Sequence, residues 1–391
     1  ATEWDLTDIY PDKESWEEAR EEISAEVEKL QAFKGKLSES PETLGKALDL
    51  YHEIMKNGMR AYGYASMLSD LDTRKGGPQG MLQAIQSQFA QLSAKTAWID
   101  PEILAIPENQ LQKWVEMAPE LKIYERYIER LQKQRAHTLD AKSEQILGAA
   151  SLMKGDGATV GKLMLNAEIP WETIELVDGE ALRVDVSGYT KGRASDNRID
   201  RIRTYSAFFG KLQDFQQTIA ASVAATVKEH VFSARVRNYE NTLDPALLPD
   251  EIDPAVYTML IEEVNAALPT LHRYLELRAR MLGVEDLGYH DLYPSLVGKI
   301  DLEFDWDESK GLVLEAVAPL GEDYVAKLRK AYEGGWVDVY PREGKRSGAY
   351  MSGAAYDVHP YMLLNHQDDY ESASTLAHES GHLMHSVYSN A

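Results

Sequence analysis

No cysteine occurs among the 391 residues, which excludes disulfides, thiolate metal sites and a cysteine nucleophile. This composition is compatible with a reducing compartment. No stretch approaches the ~18 consecutive apolar residues that a membrane span needs. The opening Ala1-Thr2-Glu3-Trp4-Asp5 has no basic region followed by an apolar run, so no signal peptide is visible. Positive charge is also scarce. Lys and Arg number 41 against 64 Asp and Glu, a formal net charge of −23. That balance argues against nucleic acid and against anionic membrane as partners, because either would need a basic face. The simplest reading is a cytoplasmic protein with a solvated acidic surface. There is no low-complexity segment and no repeat of fixed period.

Apolar residues make up 44% of the chain and recur throughout, so it can bury a large core. Most of it reads as amphipathic helix. Ser15-Trp16-Glu17-Glu18 has the form of a capping box. Trp16, Ile23, Val27 and Leu30 follow at helical spacing. A second helix after Pro41 carries Leu44, Leu48, Tyr51 and Met55, and a third runs from about 81 to 98. Further helices are expected over about 120–135, 143–153, 198–235, 254–267, 269–282 and 307–333, with Pro245, Pro249 and Pro254 breaking the chain. Residues 169–188 differ. Two alternating runs flank Asp178-Gly179, the pattern of an isolated hairpin. The polar, turn-rich stretch from Gly188 to Asn197 places a domain boundary near 190, with a helical N-terminal domain over 1–190 and a second domain over 191–391.

Residues 335–365 also depart from the helical pattern. Gly335 to Tyr340 reads as a short strand, Gly348-Ala349-Tyr350-Met351-Ser352-Gly353-Ala354-Ala355-Tyr356 as a small, Gly-bracketed stretch, and Tyr361 to Asn365 as a short apolar run. A small sheet is expected just before the last helix. Glycine in a strand often marks close approach of another backbone. The plainer reading, favoured by spacing alone, is a structural hairpin with a Gly bulge.

The last helix is expected to begin near Asp368 or Asp369 and carries His378-Glu379-Ser380-Gly381-His382. Two histidines four residues apart lie on one face, one turn apart, so both imidazoles can reach one ion. Zinc takes nitrogen and oxygen ligands, and catalytic sites keep a position open for water. Glu379 beside the first histidine is placed to act as general base on metal-activated water and to pass the proton to a leaving amine. The bland alternative is a helix with two satisfied histidines. His385 and Glu371 each lie seven residues from His378. About 10 Å along the axis separates such backbones, which removes both as ligands. No Asp or Glu follows His382. Asp357, His359 and His366 lie upstream, but their spacing singles out none of them, so the third ligand stays open.

These residues carry a resemblance. Thr375-Leu376-Ala377-His378-Glu379-Ser380-Gly381-His382, followed by Met384-His385-Ser386, resembles the zinc-site helix of oligoendopeptidase F, among the thimet-oligopeptidase-like zinc metallopeptidases. Gly348-Ala349-Tyr350 with Ser352-Gly353, and Pro360-Tyr361-Met362-Leu363-Leu364-Asn365, are similar to the segment before that helix. Ala234 to Tyr239, Tyr274 to Arg278, Asp291-Leu292-Tyr293 and the opening Trp4 to Tyr10 match as well, so the resemblance spans nearly the whole chain.

It implies a mostly α, multi-helical fold with a deep channel and a small β-sheet beside the zinc-site helix. It further implies zinc as cofactor, a cytoplasmic location, and cleavage of short oligopeptides. His378 and His382 would be zinc ligands and Glu379 the general base. Gly348, Ala349, Tyr350 and Gly353 would bind substrate backbone by β-addition. Ser380 stands where the family more usually has a bulky apolar residue, and is expected to be tolerated. The family's third ligand, a Glu, lies on a helix beyond this chain's last residue. The chain is accordingly expected to be a fragment or one part of a split protein, inactive alone and completed by a separate C-terminal polypeptide. The competing reading from another class is a non-catalytic helical peptide-binding scaffold.

Overall fold

In the computed structural model, which describes residues 2–297 and 303–390, helices dominate and the strands form two small sheets. The chain forms two compact units, one of Ala1–Lys154 with Leu302–Ala391 and one of Gly155–Asp301. Residue 190 falls within the second of these units. The first unit is discontinuous: the last helix joins the first 154 residues through long-range packing that no local shift in composition announces.

In the first unit, α1 (Lys13–Leu30), α2 (Pro41–Leu71) and α3 (Gly76–Thr96) pack together. Trp16, Ile23, Val27 and Leu30 form the buried stripe of α1, as their spacing predicts. The helix start differs, because Asp12 rather than Ser15 is the N-cap and accepts from the Ser15 amide at 2.8 Å. The expected 307–333 helix is two, Trp306–Ala316 and Glu322–Glu333, interrupted around Pro319 and Gly321.

Strands Val337–Asp338, Tyr350–Ser352 and Tyr361–Leu363 form the sheet of this unit. The strand Tyr361–Leu363 is central, parallel to the first and antiparallel to the second, so Tyr350–Ser352 is an edge. The extreme N-terminus pins this sheet. Val339 N–H donates to the Thr2 carbonyl at 3.0 Å, Asp5 N–H to Gly335 at 2.6 Å, and the Tyr361 hydroxyl to the Asp5 carbonyl at 2.8 Å.

The second unit contains the expected hairpin, Thr173–Glu175 paired antiparallel with Ala181–Arg183. Gly179 has φ +90, the left-handed region its turn requires. Leu182, Val184, Tyr189 and Phe208 form its core. Arg198 and Arg201 grip the buried Asp291 at 2.8 and 2.9 Å, while Arg278 donates to the Asp291 carbonyl at 2.7 Å. The helix Pro254–Leu282 runs continuously through Pro269, where the sequence suggests a break. The expected 198–235 helix is split into Arg198–Asp214 and Gln216–Val236. No helix among the described residues is long and apolar enough to cross a membrane.

Candidate active site

The last helix runs Tyr370–Ser389. Asp369 caps it, accepting from the Ser372 amide at 2.8 Å, and Asp368 just before it has φ +56. Leu376, Leu383 and Met384 repeat at helical spacing and are fully buried against Trp336, Val337, Val339, Met362 and Leu364. That packing seats the helix on the three-stranded sheet and turns the face carrying His378 and His382 outward.

On that face the two imidazoles converge. Their Nε2 atoms are 3.1 Å apart, with ring centroids at 4.8 Å and planes at 77°. Two nitrogens bound to one tetrahedral zinc at 2.0–2.1 Å would be separated by roughly 3.3–3.4 Å. The pair therefore fits as two ligands of one metal ion. Glu379 lies between them in sequence and is 8% exposed.

Among the described residues no group of three or more His, Cys, Asp or Glu comes together as a metal site. The upstream candidates for a third ligand are engaged elsewhere. His359 stacks on Trp336 at 4.0 Å and pairs with Asp8 at 3.2 Å. His366 is buried and bonds the Phe304 carbonyl at 2.9 Å. Asp357 pairs with Lys56 at 3.1 Å. His385 is exposed on the last helix.

The edge strand lies beside this helix. Ala349 and Met351 pack into the core that holds Leu383 and Met384, whereas Tyr350 points the other way, into the core of α2. Gly348 has φ +82, a conformation that favours glycine. Gly353 packs closely for another reason: a Cβ there would stand 2.4 Å from Ser386 Oγ on the last helix, so that hydroxyl would have to turn away. The neighbour of this glycine is thus a side chain of the last helix and not another backbone. The sheet also shows no Gly-bulge hairpin here. Residues 350–352 pair in plain antiparallel register with 361–363.

Ser380 acquires a specific partner. Its hydroxyl is 2.6 Å from that of Tyr332 on the helix Glu322–Glu333, and both side chains are buried. Burial pushes the Tyr332 phenol up, keeping it neutral and able to donate. A bulky apolar residue at 380 would leave that hydroxyl without this partner. Ser380→Ala is expected to destabilise by about 1–3 kcal/mol, the cost of stranding a buried polar group. Adding Tyr332→Phe should recover much of that loss in urea unfolding, and strictly additive single effects would rule out the pairing. Sequence reading missed Tyr332, because 48 residues separate the two and only the fold brings them together.

A helical scaffold that presents a His-Glu-x-x-His helix beside a sheet edge is the architecture of a metallopeptidase. Comparison with known proteins agrees. Residues 193–391 match the family model for Peptidase family M3, and residues 102–169 match that for Oligopeptidase F. The chain belongs to peptidase family M3, a family of metallopeptidases. It is 35% identical to the oligopeptidase PepF of Bacillus subtilis (strain 168), over 98% of this chain and 57% of that protein. It is 32% identical to the group B oligopeptidase PepB of Streptococcus agalactiae, over 99% of this chain and 64% of that protein. The crystal structure of oligoendopeptidase-F from Enterococcus faecium superposes with a TM-score of 0.72 at 30% identity, covering 80% of this chain and 59% of that one. The chain thus spans somewhat less than two thirds of the length of the relatives it matches.

Proposed function

We propose that this chain is the larger part of a zinc endopeptidase that hydrolyses short peptides. The convergence of His378 and His382 at 3.1 Å on the open face of the last helix carries the reading. Family membership and the names of the relatives, oligopeptidases and an oligoendopeptidase, support it. His378 and His382 would hold the metal. Zinc bound there supplies Lewis-acid polarisation and lowers the pKa of a coordinated water to roughly 7. Glu379, an acceptor when ionised, would take a proton from water as the water oxygen adds to the peptide carbonyl carbon, and would give it to the amide nitrogen as the C–N bond breaks. The edge strand, through the backbone of Gly348, Ala349, Tyr350 and Gly353, takes an extended peptide by β-addition, which holds the scissile bond near the two histidines.

The third protein donor that catalytic zinc sites use is assigned to a C-terminal polypeptide, either continuous with this one or separate. The matched regions leave more than a third of each relative's length unaccounted for, which supports that assignment. On this reading the 391 residues alone are inactive. The family match beginning at residue 193 supports a division near residue 190 between an N-terminal helical region and the start of the catalytic region. A cytoplasmic location goes with the lack of cysteine.

Zinc titration by calorimetry tests the metal assignment. One site per chain is expected. His382→Ala should weaken it by more than the roughly 10–100-fold that loss of an outer partner costs. Undiminished zinc binding in that variant would sink the assignment.

A further inference from the structure

The edge strand Tyr350–Ser352 is fixed from the α2 side by one buried carboxylate. Asp70, at the C-terminal end of α2, is fully buried. Its Oδ2 accepts from the Tyr350 hydroxyl at 3.0 Å and from Arg346 Nη1 at 3.1 Å. The Arg346 amide donates to the Asp70 carbonyl at 2.9 Å, and its guanidinium lies 4.8 Å from the Tyr350 ring centroid. Asn365 Nδ2 donates to the carbonyls of Arg346 and Gly348 at 3.0 and 2.7 Å, closing the turn that leads into the strand. Burial and the nearby Asp70 carboxylate push the Tyr350 phenol up, so it stays a donor.

The opposite face of the strand packs, partly buried, against the last helix. Ala349 and Met351 sit in the core of the last helix, and Gly353 abuts Ser386. The strand is therefore wedged between α2 and the helix bearing His378 and His382. A packed contact on one side limits approach, while on the other side a directional, charge-assisted set of hydrogen bonds sets the distance. A carboxylate is costly to bury for packing alone, since apolar side chains would fill the same space without the desolvation cost.

We propose that Asp70, acting through Tyr350 and Arg346, is a positioning residue that sets the free edge of this strand for main-chain binding of an extended peptide. The inference rests on the reading of that strand as the peptide-binding edge.

The test is made in the Glu379→Gln background, so that bound peptide is not turned over, with a fluorescein-labelled oligopeptide as probe. Tyr350→Phe keeps the ring and removes the hydroxyl; Asp70→Asn keeps the shape and removes the charge. Each is expected to weaken peptide binding about tenfold, on the scale of one hydrogen bond to a charged group. Zinc affinity should be unchanged. The same peptide N-methylated along its backbone, unable to pair with a strand edge, should bind all variants alike. Unchanged peptide affinity in both variants, whatever their melting temperatures, would overturn the positioning role and leave the peptidase reading standing. No peptide binding in the Glu379→Gln protein itself would overturn both. Hydrolysis by the unmutated chain together with the proposed C-terminal polypeptide, assayed separately, shows whether the peptidase reading is the one at fault.

Discussion

Glu379→Gln is expected to lower turnover of a quenched oligopeptide by about 10²–10⁴-fold, the usual worth of a positioned general base. The measurement uses the chain together with the proposed C-terminal polypeptide. The substitution is isosteric, which matters because Glu379 is 8% exposed and its neighbours Leu376, Ser380 and Leu383 are packed. A carboxamide fills the same space but cannot take a proton from water. Folding should therefore be retained, and so should zinc, because the metal is assigned to His378 and His382, whose outward face the change does not touch. The loss should fall on kcat, with KM near its original value, since the peptide is assigned to a strand edge and not to this side chain. Turnover within a few-fold of the unmutated protein would refute the assigned base. Loss of zinc along with activity would show that the carboxylate serves the metal site rather than the proton transfer.

Much of this was legible in the sequence wherever a periodicity or a local spacing carries the information. The stripe Trp16, Ile23, Val27 and Leu30 is buried as its period requires. The Asp178-Gly179 turn closes the hairpin it signals. The i, i+4 pair His378 and His382 meets on one face because helix geometry leaves it no alternative. What was not legible depends on contacts between residues far apart in the chain. Asp70 and Tyr350 are 280 residues apart, and Ser380 reads as a tolerated oddity until Tyr332 arrives across the core. Local chemistry also misled where two residues competed for one role. Ser15 has the pattern of a cap, yet the carboxylate of Asp12 outcompetes it and uses the Ser15 amide and hydroxyl as its donors. Pro269 argues for a helix break, but loss of one backbone hydrogen bond is tolerated within a 29-residue helix.

The largest effect on stability is expected at Asp338, on the strand Val337–Asp338. Its carboxylate is fully buried and accepts from Lys345 Nζ at 2.6 Å and from both Arg342 terminal nitrogens at 2.8 and 3.0 Å. The Lys345 side chain is also fully buried, and its ammonium further donates to the carbonyls of Tyr340 and Leu364. Burial draws the Lys345 pKa down, and Asp338 opposes that shift by stabilising the charged form. Asp338→Ala would leave this ammonium buried beside a guanidinium without its paired carboxylate, at a cost of about 3–5 kcal/mol. Lys345→Met alone should cost less, because Arg342 is partly exposed and still pairs with Asp338. The two changes together should be milder than Asp338→Ala alone, since the stranded charge is then gone and an apolar chain fills the space. Urea unfolding of the three variants decides this, and a double mutant as unstable as the sum of the singles would refute it. The consequence reaches the site. Lys345 ties the loop before the edge strand to Leu364, at the end of the central strand, and the Leu364 amide donates to the Asp338 carbonyl at 2.8 Å. Loosening this ion network would free both the central strand and the turn at Gly348, so Asp338→Ala should also weaken binding of the labelled peptide at temperatures where the protein remains folded.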